Sequence, residues 1–265
     1  MFSIFNKAQI VEPLIAKNLH LSFAWALDNF DRSFFNNTTV LVLPTREFFP
    51  DRADNELDMA RALCSRILKY AGIADWPFKL VLPHEFSPQM PPVLNLETRQ
   101  RQDNEIQEQH ATTIIGSSNQ QGAEEATALS PVLEISYISA MMKKPMDLVG
   151  SMSKNIAQHY LFQAQITPPA GPESFDASAE ILAIFMGFGI MIANSAYTFR
   201  GSCARCYDPR ANRTAALSED EAVYCLALFC HYKKIDSKEV TPSLKNYLRA
   251  SFKKARKQIA RNSLP

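Results

Sequence analysis

Apolar residues recur at helical spacing along much of the chain, broken by short runs with a different rhythm. Between residues 9 and 30, Ile10, Leu14, Ile15, Leu19, Phe23, Trp25, Leu27 and Phe30 follow the three-four step of one or two amphipathic helices. Met59, Leu63, Ile67 and Leu68 repeat that step after Asp54 and Asn55, either of which can cap a helix reaching Tyr70. Cys64 lies beside this stripe and reads as a core thiol. Three short apolar runs read as strands: residues 39–43, stopped by Pro44; residues 78–82, stopped by Pro83; and residues 132–138. The pattern then turns helical. A helix is predicted over 146–162, a Pro/Gly-broken loop over 167–173, and a second, strongly apolar helix over 176–196. Ser218 and Glu221 form a capping-box pattern that launches a helix over 222–233. Thr241-Pro242 starts the last helix, with Pro at its first helical position and Leu244, Leu248, Phe252, Ala255 and Ile259 on one face.

This order predicts an α+β fold, a small sheet packed beside a mainly helical half, in a single domain over 1–265. Residues 83–130 interrupt it. Prolines 88, 91 and 92 are followed by polar stretches around Glu97–Glu105 and Ser117–Gly122, with no aromatic after Phe86. Such a texture predicts an exposed, partly disordered insertion, with Ile114-Ile115 as a short edge-strand fragment.

Composition adds bounds. Apolar residues make up 46% of the 265 and charged residues 21%, enough to fill a core. The net charge of +1 gives no global attraction to nucleic acid or membrane. Residues 181–193 are apolar throughout, but the run falls short of the ~20 residues that cross a bilayer and reads as a buried core helix. The first dozen residues lack a charged start followed by an apolar run, and the five cysteines sit in a chain too large to need stapling. Both point to a cytoplasmic protein with reduced thiols.

Three stretches carry a resemblance to a family. They are Val42-Leu-Pro-Thr-Arg-Glu-Phe-Phe-Pro50, Phe185-Met-Gly-Phe-Gly-Ile-Met-Ile-Ala-Asn-Ser195, and Leu217-Ser-Glu-Asp-Glu-Ala-Val-Tyr-Cys-Leu-Ala-Leu-Phe-Cys230. With the helix at 146–162, they resemble uncharacterised bacterial proteins built around a zinc-metallopeptidase-like core of the gluzincin type. That resemblance implies a zincin-like fold. It also implies a first helix reading His-Glu-x-x-His, whose histidines bind zinc from one helical face while the Glu acts as general base on the metal-bound water. A further acidic ligand would come from the start of the next helix.

In this chain the matching positions read Lys154-Asn-Ile-Ala-Gln158. A charged lysine cannot ligate zinc, an asparagine cannot take the proton, and glutamine is a poor ligand. Sliding the register by one gives Asn155-Ile-Ala-Gln-His159, which recovers one histidine but puts Ile156 in the position of the base. Asp176 and Glu180 stand where the third ligand and its supporting acid belong, and carboxylates at a helix start are also ordinary capping residues. The implied site is degenerate: Lys154, Asn155, Gln158, His159, Asp176 and Glu180 are its remnant positions, with no catalytic residue and no resident cofactor among them.

Other candidates carry less. Cys203-Ala-Arg-Cys206, with Cys225 and Cys230, could in principle staple a zinc ion. Cys225 and Cys230 are five apart on a predicted helix, about 140° round its axis, and do not face one metal. The histidines at 20, 84, 110, 159 and 231 are scattered, and Ser195 lacks a nucleophile elbow. Gly187-Phe-Gly189 permits close helix approach but is no cofactor loop. The last helix is basic, without the aromatic interleaving that stacks bases, and reads as a solvated face rather than a nucleic-acid signal. The expected function is a non-catalytic, metallopeptidase-like module that binds or scaffolds a protein partner. The alternatives are a metal-dependent hydrolase using His159, Asp176 and Glu180, and a zinc-stapled binding module using the cysteines.

Overall fold

The computed structural model describes residues 9–85, 91–94, 96, 100–102, 131–197 and 213–262. Its elements in chain order are α1 (Pro13–Asn29), α2 (Arg32–Asn37), α3 (Glu56–Ala71), β1 (Phe78–Val81), β2 (Leu133–Ser136), α4 (Pro145–Ala164), α5 (Phe175–Ala183), α6 (Gly189–Ser195), α7 (Glu219–Tyr232), α8 (Ser237–Val240) and α9 (Leu248–Asn262). The architecture is α+β: mostly helix, with β1 and β2 paired in parallel, Phe78 opposite Leu133 and Val81 opposite Ser136. Parallel pairing needs a long crossover, and the chain between 82 and 132 supplies it. Leu133 and Ile135 point into the core, while Lys79 and Glu134 form an ion pair of 2.8 Å across the strands.

Several elements begin where local chemistry tells them to. The Asn55 side chain accepts the Asp58 N–H at 2.9 Å and starts α3, and Gly72, in the left-handed region, ends it. The capping box at Ser218 and Glu221 is fully formed at the head of α7. Pro145 opens α4, which sits at the centre of the fold against α3, α5, α6 and β2. At Gly150 an added Cβ would lie 2.8 Å from Ser195 Oγ, so glycine lets α6 lie on α4.

Four expectations need correction. Residues 39–43 form no strand. Val42 N–H instead donates to Gly187 O at 3.0 Å, a lone bond that ties this extended segment to a helix break. The second apolar helix is not continuous. Between α5 and α6, Ile184–Phe188 make a π-turn in which Gly187 adopts φ 105°, and a Cβ there would meet Val40 O at 2.2 Å. The last helix does not start at Thr241. Thr241–Ser243 form one 3₁₀ turn, and α9 begins at Leu248 after a break. Finally, Leu94 and Arg101, inside the stretch expected to be exposed, are buried. Gln163 on α4 pins the first of these, accepting the Leu94 N–H at 2.9 Å and donating to Pro92 O at 2.7 Å. Ile114 and Ile115 lie outside the described residues.

The core is one contiguous cluster. Its aromatic centre joins α1, α2 and the π-turn: Phe35 stacks on Phe185 with centroids 4.5 Å apart, and Phe23 meets both edge-on. Among the described residues one helical stretch, Pro172–Ser195, is long and apolar enough to cross a membrane, and 83% of its most apolar window is buried inside the fold. The kink at Gly187 and the packing on both sides make it a core element.

Candidate functional site

The remnant positions fall on two packed helices, α4 and α5. Lys154 and Gln158 stand one turn apart on α4, and Asp176 and Glu180 one turn apart on α5. The helices bring these pairs together end to end. Gln158 Nε2 donates to Asp176 Oδ1 at 2.7 Å, and Lys154 Nζ lies 3.4 Å from Glu180 Oε1. Of the two possible registers, Lys154 to Gln158 is therefore the one that meets the carboxylates of α5. His159 is one residue further round the helix and points elsewhere. Its Nε2 lies 2.9 Å from the Glu134 carbonyl on β2.

Glu180 is fully buried, and both oxygens of its carboxylate are hydrogen-bonded. Oε1 accepts from Arg213 Nη1 and from the Ala216 N–H at 2.8 Å, and Oε2 accepts from the Leu217 N–H at 3.1 Å. Lys154 adds its charge to Oε1 and donates to the Thr214 carbonyl at 3.3 Å. Arg213 is buried too. Its Nε donates to Ser195 Oγ at 2.8 Å and its Nη2 to Ile192 O at 3.3 Å, while Ser195 Oγ donates onward to Met191 O at 2.6 Å. The result is an ionic clasp holding α4, α5, α6 and the entry to α7 in one place. Buried charges are tolerable only when paired and hydrogen-bonded in this way.

A second polar group lies two turns nearer the start of α4. Tyr197 donates its hydroxyl to both oxygens of Asp147, at 2.9 and 3.1 Å, and Lys245 Nζ sits 4.0 Å from the Tyr197 ring centre. Burial raises the Asp147 carboxyl above its ordinary range, opposed by Tyr197, Lys245, Lys144 and Arg213. Burial lowers the Lys245 ammonium, against the pull of Asp147 and Glu219.

His159 is buried, and among the described residues its Nδ1 has no partner. A carbonyl can only accept, so Nε2 carries the proton and Nδ1 is a bare lone pair in the neutral ring. Burial lowers its pKa below the ordinary histidine value, and the contact with Glu134 offsets only part of that.

The residues do not fit a metal. Glu180 is already bonded to Arg213 and two backbone N–H groups, Lys154 and Arg213 set two cations beside it where a divalent ion would be repelled, and His159 faces β2. Among the described residues, no three of His, Cys, Asp or Glu gather in a ligating group. Cys225 and Cys230 are buried along α7, and burial pushes the Cys230 thiol up to about 12 and Cys225 up as well, which disfavours the thiolate a metal needs. Cys203 and Cys206 lie outside the described residues.

Sequence reasoning offered Asp176 and Glu180 as remnant ligand positions or as ordinary capping or polar-contact carboxylates; neither caps α5 through its side chain, and both make polar contacts, to Gln158 and to Arg213. It missed Arg213 altogether, because an arginine in a loop carries no periodicity or motif. Ser195, which lacks a nucleophile elbow, accepts a hydrogen bond from Arg213. Comparison of the chain with protein-family models, with curated proteins and with solved structures returns no match.

Proposed function

We propose that this chain is a non-catalytic binding protein, a metallopeptidase-like frame of zincin type whose ligand positions have been given over to a structural ion cluster, and that it acts by holding a protein partner. One observation carries the reading: Glu180 accepts from Arg213 and from the Ala216 and Leu217 N–H groups, and Lys154 lies 3.4 Å from its Oε1. A carboxylate buried against two cations in this way is disfavoured both as a metal ligand and as a base toward water. Supporting it, Lys154 and Gln158 face two carboxylates one turn apart on the next helix, the placement that the family resemblance assigns to a zinc site. The buried, reduced thiols of Cys64, Cys225 and Cys230 suit a cytoplasmic setting.

The test is elemental analysis of the purified chain together with a peptidase assay on unstructured peptides. The expected result is substoichiometric zinc and no cleavage, with folding unchanged in chelator. One equivalent of zinc and cleavage, both lost in Glu180→Gln, would overturn the proposal.

A further inference from the structure

Beside the clasp lies a cavity of about 230 Å³, bounded by α4, by Ile138 and Met141 before it, and by Arg213 and Thr214. Ser151, Lys154, Asn155 and Gln158 present one polar face of α4 to it. The helix is otherwise set deep in the core, and Ser151, Asn155 and Gln158 are the half-buried positions through which its polar side meets the cavity.

We propose that this cavity seats a carboxylate, taken from a small organic acid or a peptide C-terminus, with Lys154 as its cationic anchor. The inference rests on the reading above that Glu180 is a partner of cations rather than of a metal. Lys154 has three N–H donors. Two are directed at Glu180 and the Thr214 carbonyl, leaving one for the cavity. The side chains of Ser151 and Asn155 are half-buried on the same wall, where hydroxyl and amide donors can complete the carboxylate's shell. The opposite wall, Ile138 and Met141, is apolar and suits the hydrocarbon part of such a ligand. Charge selects a monoanion. Lys154 and Arg213 bring two positive charges and Glu180 one negative, so the clasp holds a surplus of one. Asp176, on the far side of Gln158, is exposed, and its charge is screened by solvent. Arg213 gives three of its five N–H donors to Ser195, Glu180 and Ile192 and is the closer of the two cations to Glu180, which makes it a weaker second anchor for a phosphate dianion.

The experiment is a chemical-shift titration of the ¹⁵N-labelled full chain, followed at the Ser151 and Asn155 amides. The probes are sodium acetate, acetyl-diglycine, acetyl-diglycine amide and inorganic phosphate. Acetate and acetyl-diglycine are expected to saturate the same shifts in the millimolar range, with the amide inert and phosphate weaker. Binding of acetate alone would assign the site to free acids, and tighter binding of acetyl-diglycine to chain ends. Lys154→Met tests the anchor. Because that change also touches the clasp, Asn155→Asp is the second variant: it leaves Glu180 and its partners intact and puts a like charge on the ligand. Each variant is expected to weaken acetate binding by about tenfold or more. Absence of saturable shifts in a chain that is also metal-free would sink this proposal and leave the proposed function standing. Equal binding of the amide, tighter binding of phosphate, or undiminished binding in Asn155→Asp would also overturn it.

Discussion

Among the described residues two arginines are buried, and they are held in opposite ways. Arg213, at the centre of the helical half, is paired with Glu180 and donates to Ser195 and to a carbonyl. Arg101, packed against α2 and the end of α3, has no ion pair with a carboxylate among the described residues. Its Nε donates to Ala71 O at 2.7 Å and its Nη2 to Thr39 Oγ1 at 2.9 Å, and its guanidinium lies 4.1 Å from the Phe34 ring centre and 5.6 Å from that of Phe185. Burial lowers the Arg101 pKa to about 10, still charged at neutral pH. Carbonyl oxygens and aromatic faces can thus host a cation where no acid is present. A carboxylate brought fully into the core, as Glu180 is, demands cations in return. The difference is one of role: Arg101 ties a loop to the aromatic core, whereas Arg213 joins α5 and α6 to the entry of α7 through Glu180.

The comparison breaks most sharply at Glu180. Glu180→Ala leaves Arg213 and Lys154 buried without an anion and is expected to cost about 3–5 kcal/mol in urea unfolding. Arg101→Met keeps an unbranched apolar stem against Phe34 and strands only neutral acceptors, so a smaller loss of about 1–3 kcal/mol is expected. If the two losses came out equal, the distinction between an ion-paired and a carbonyl-held guanidinium would not matter to this fold.

The third prediction concerns pH. The folded pKa of His159 lies below its ordinary value, so the unfolded chain takes up the extra proton first. The neutral ring's contribution is complete above about pH 6.5 and is lost as pH falls below that, with a slope of up to ~1.4 kcal/mol per pH unit. His159→Gln can still donate to Glu134 O but does not titrate, and its stability profile should be flatter through that window. An unchanged profile would mean that Nδ1 finds an acceptor on protonation. The smallest effect is expected at Ser218, whose cap steadies the start of α7 just beyond the Leu217 amide that Glu180 accepts from. Ser218→Ala should cost about 1 kcal/mol, and a loss as large as that of Glu180→Ala would mean that the clasp depends on the cap.

What was legible in the sequence was what is decided locally. Asn55 announces α3, and Ser218 with Glu221 announces α7, because a cap acts on amides two or three residues away. Strands β1 and β2 were legible as short apolar runs ended by proline or polar residues. The run at 39–43 looked the same, yet its neighbour is the Gly187 carbonyl rather than a strand edge, and no periodicity records which neighbour a segment will find. The apolar stretch 176–196 hid its break, since Gly187 interrupts the helix through backbone geometry that hydrophobic pattern does not register. The site was legible only by half. Lys154, Gln158, Asp176 and Glu180 could be placed from helical spacing and resemblance, but Arg213 and Arg101 reach their partners across 33 and 30 residues from polar or irregular stretches. An arginine there looks like any solvated side chain.

The central claim is that Glu180 is spoken for by Arg213. A double-mutant cycle of Glu180→Gln and Arg213→Met, read by urea unfolding, tests it most directly. The account predicts a coupling of about 2–3 kcal/mol, the double variant being far less damaged than the sum of the two single ones. Losses that add to within about 0.5 kcal/mol would contradict it, and would free Glu180 for another role.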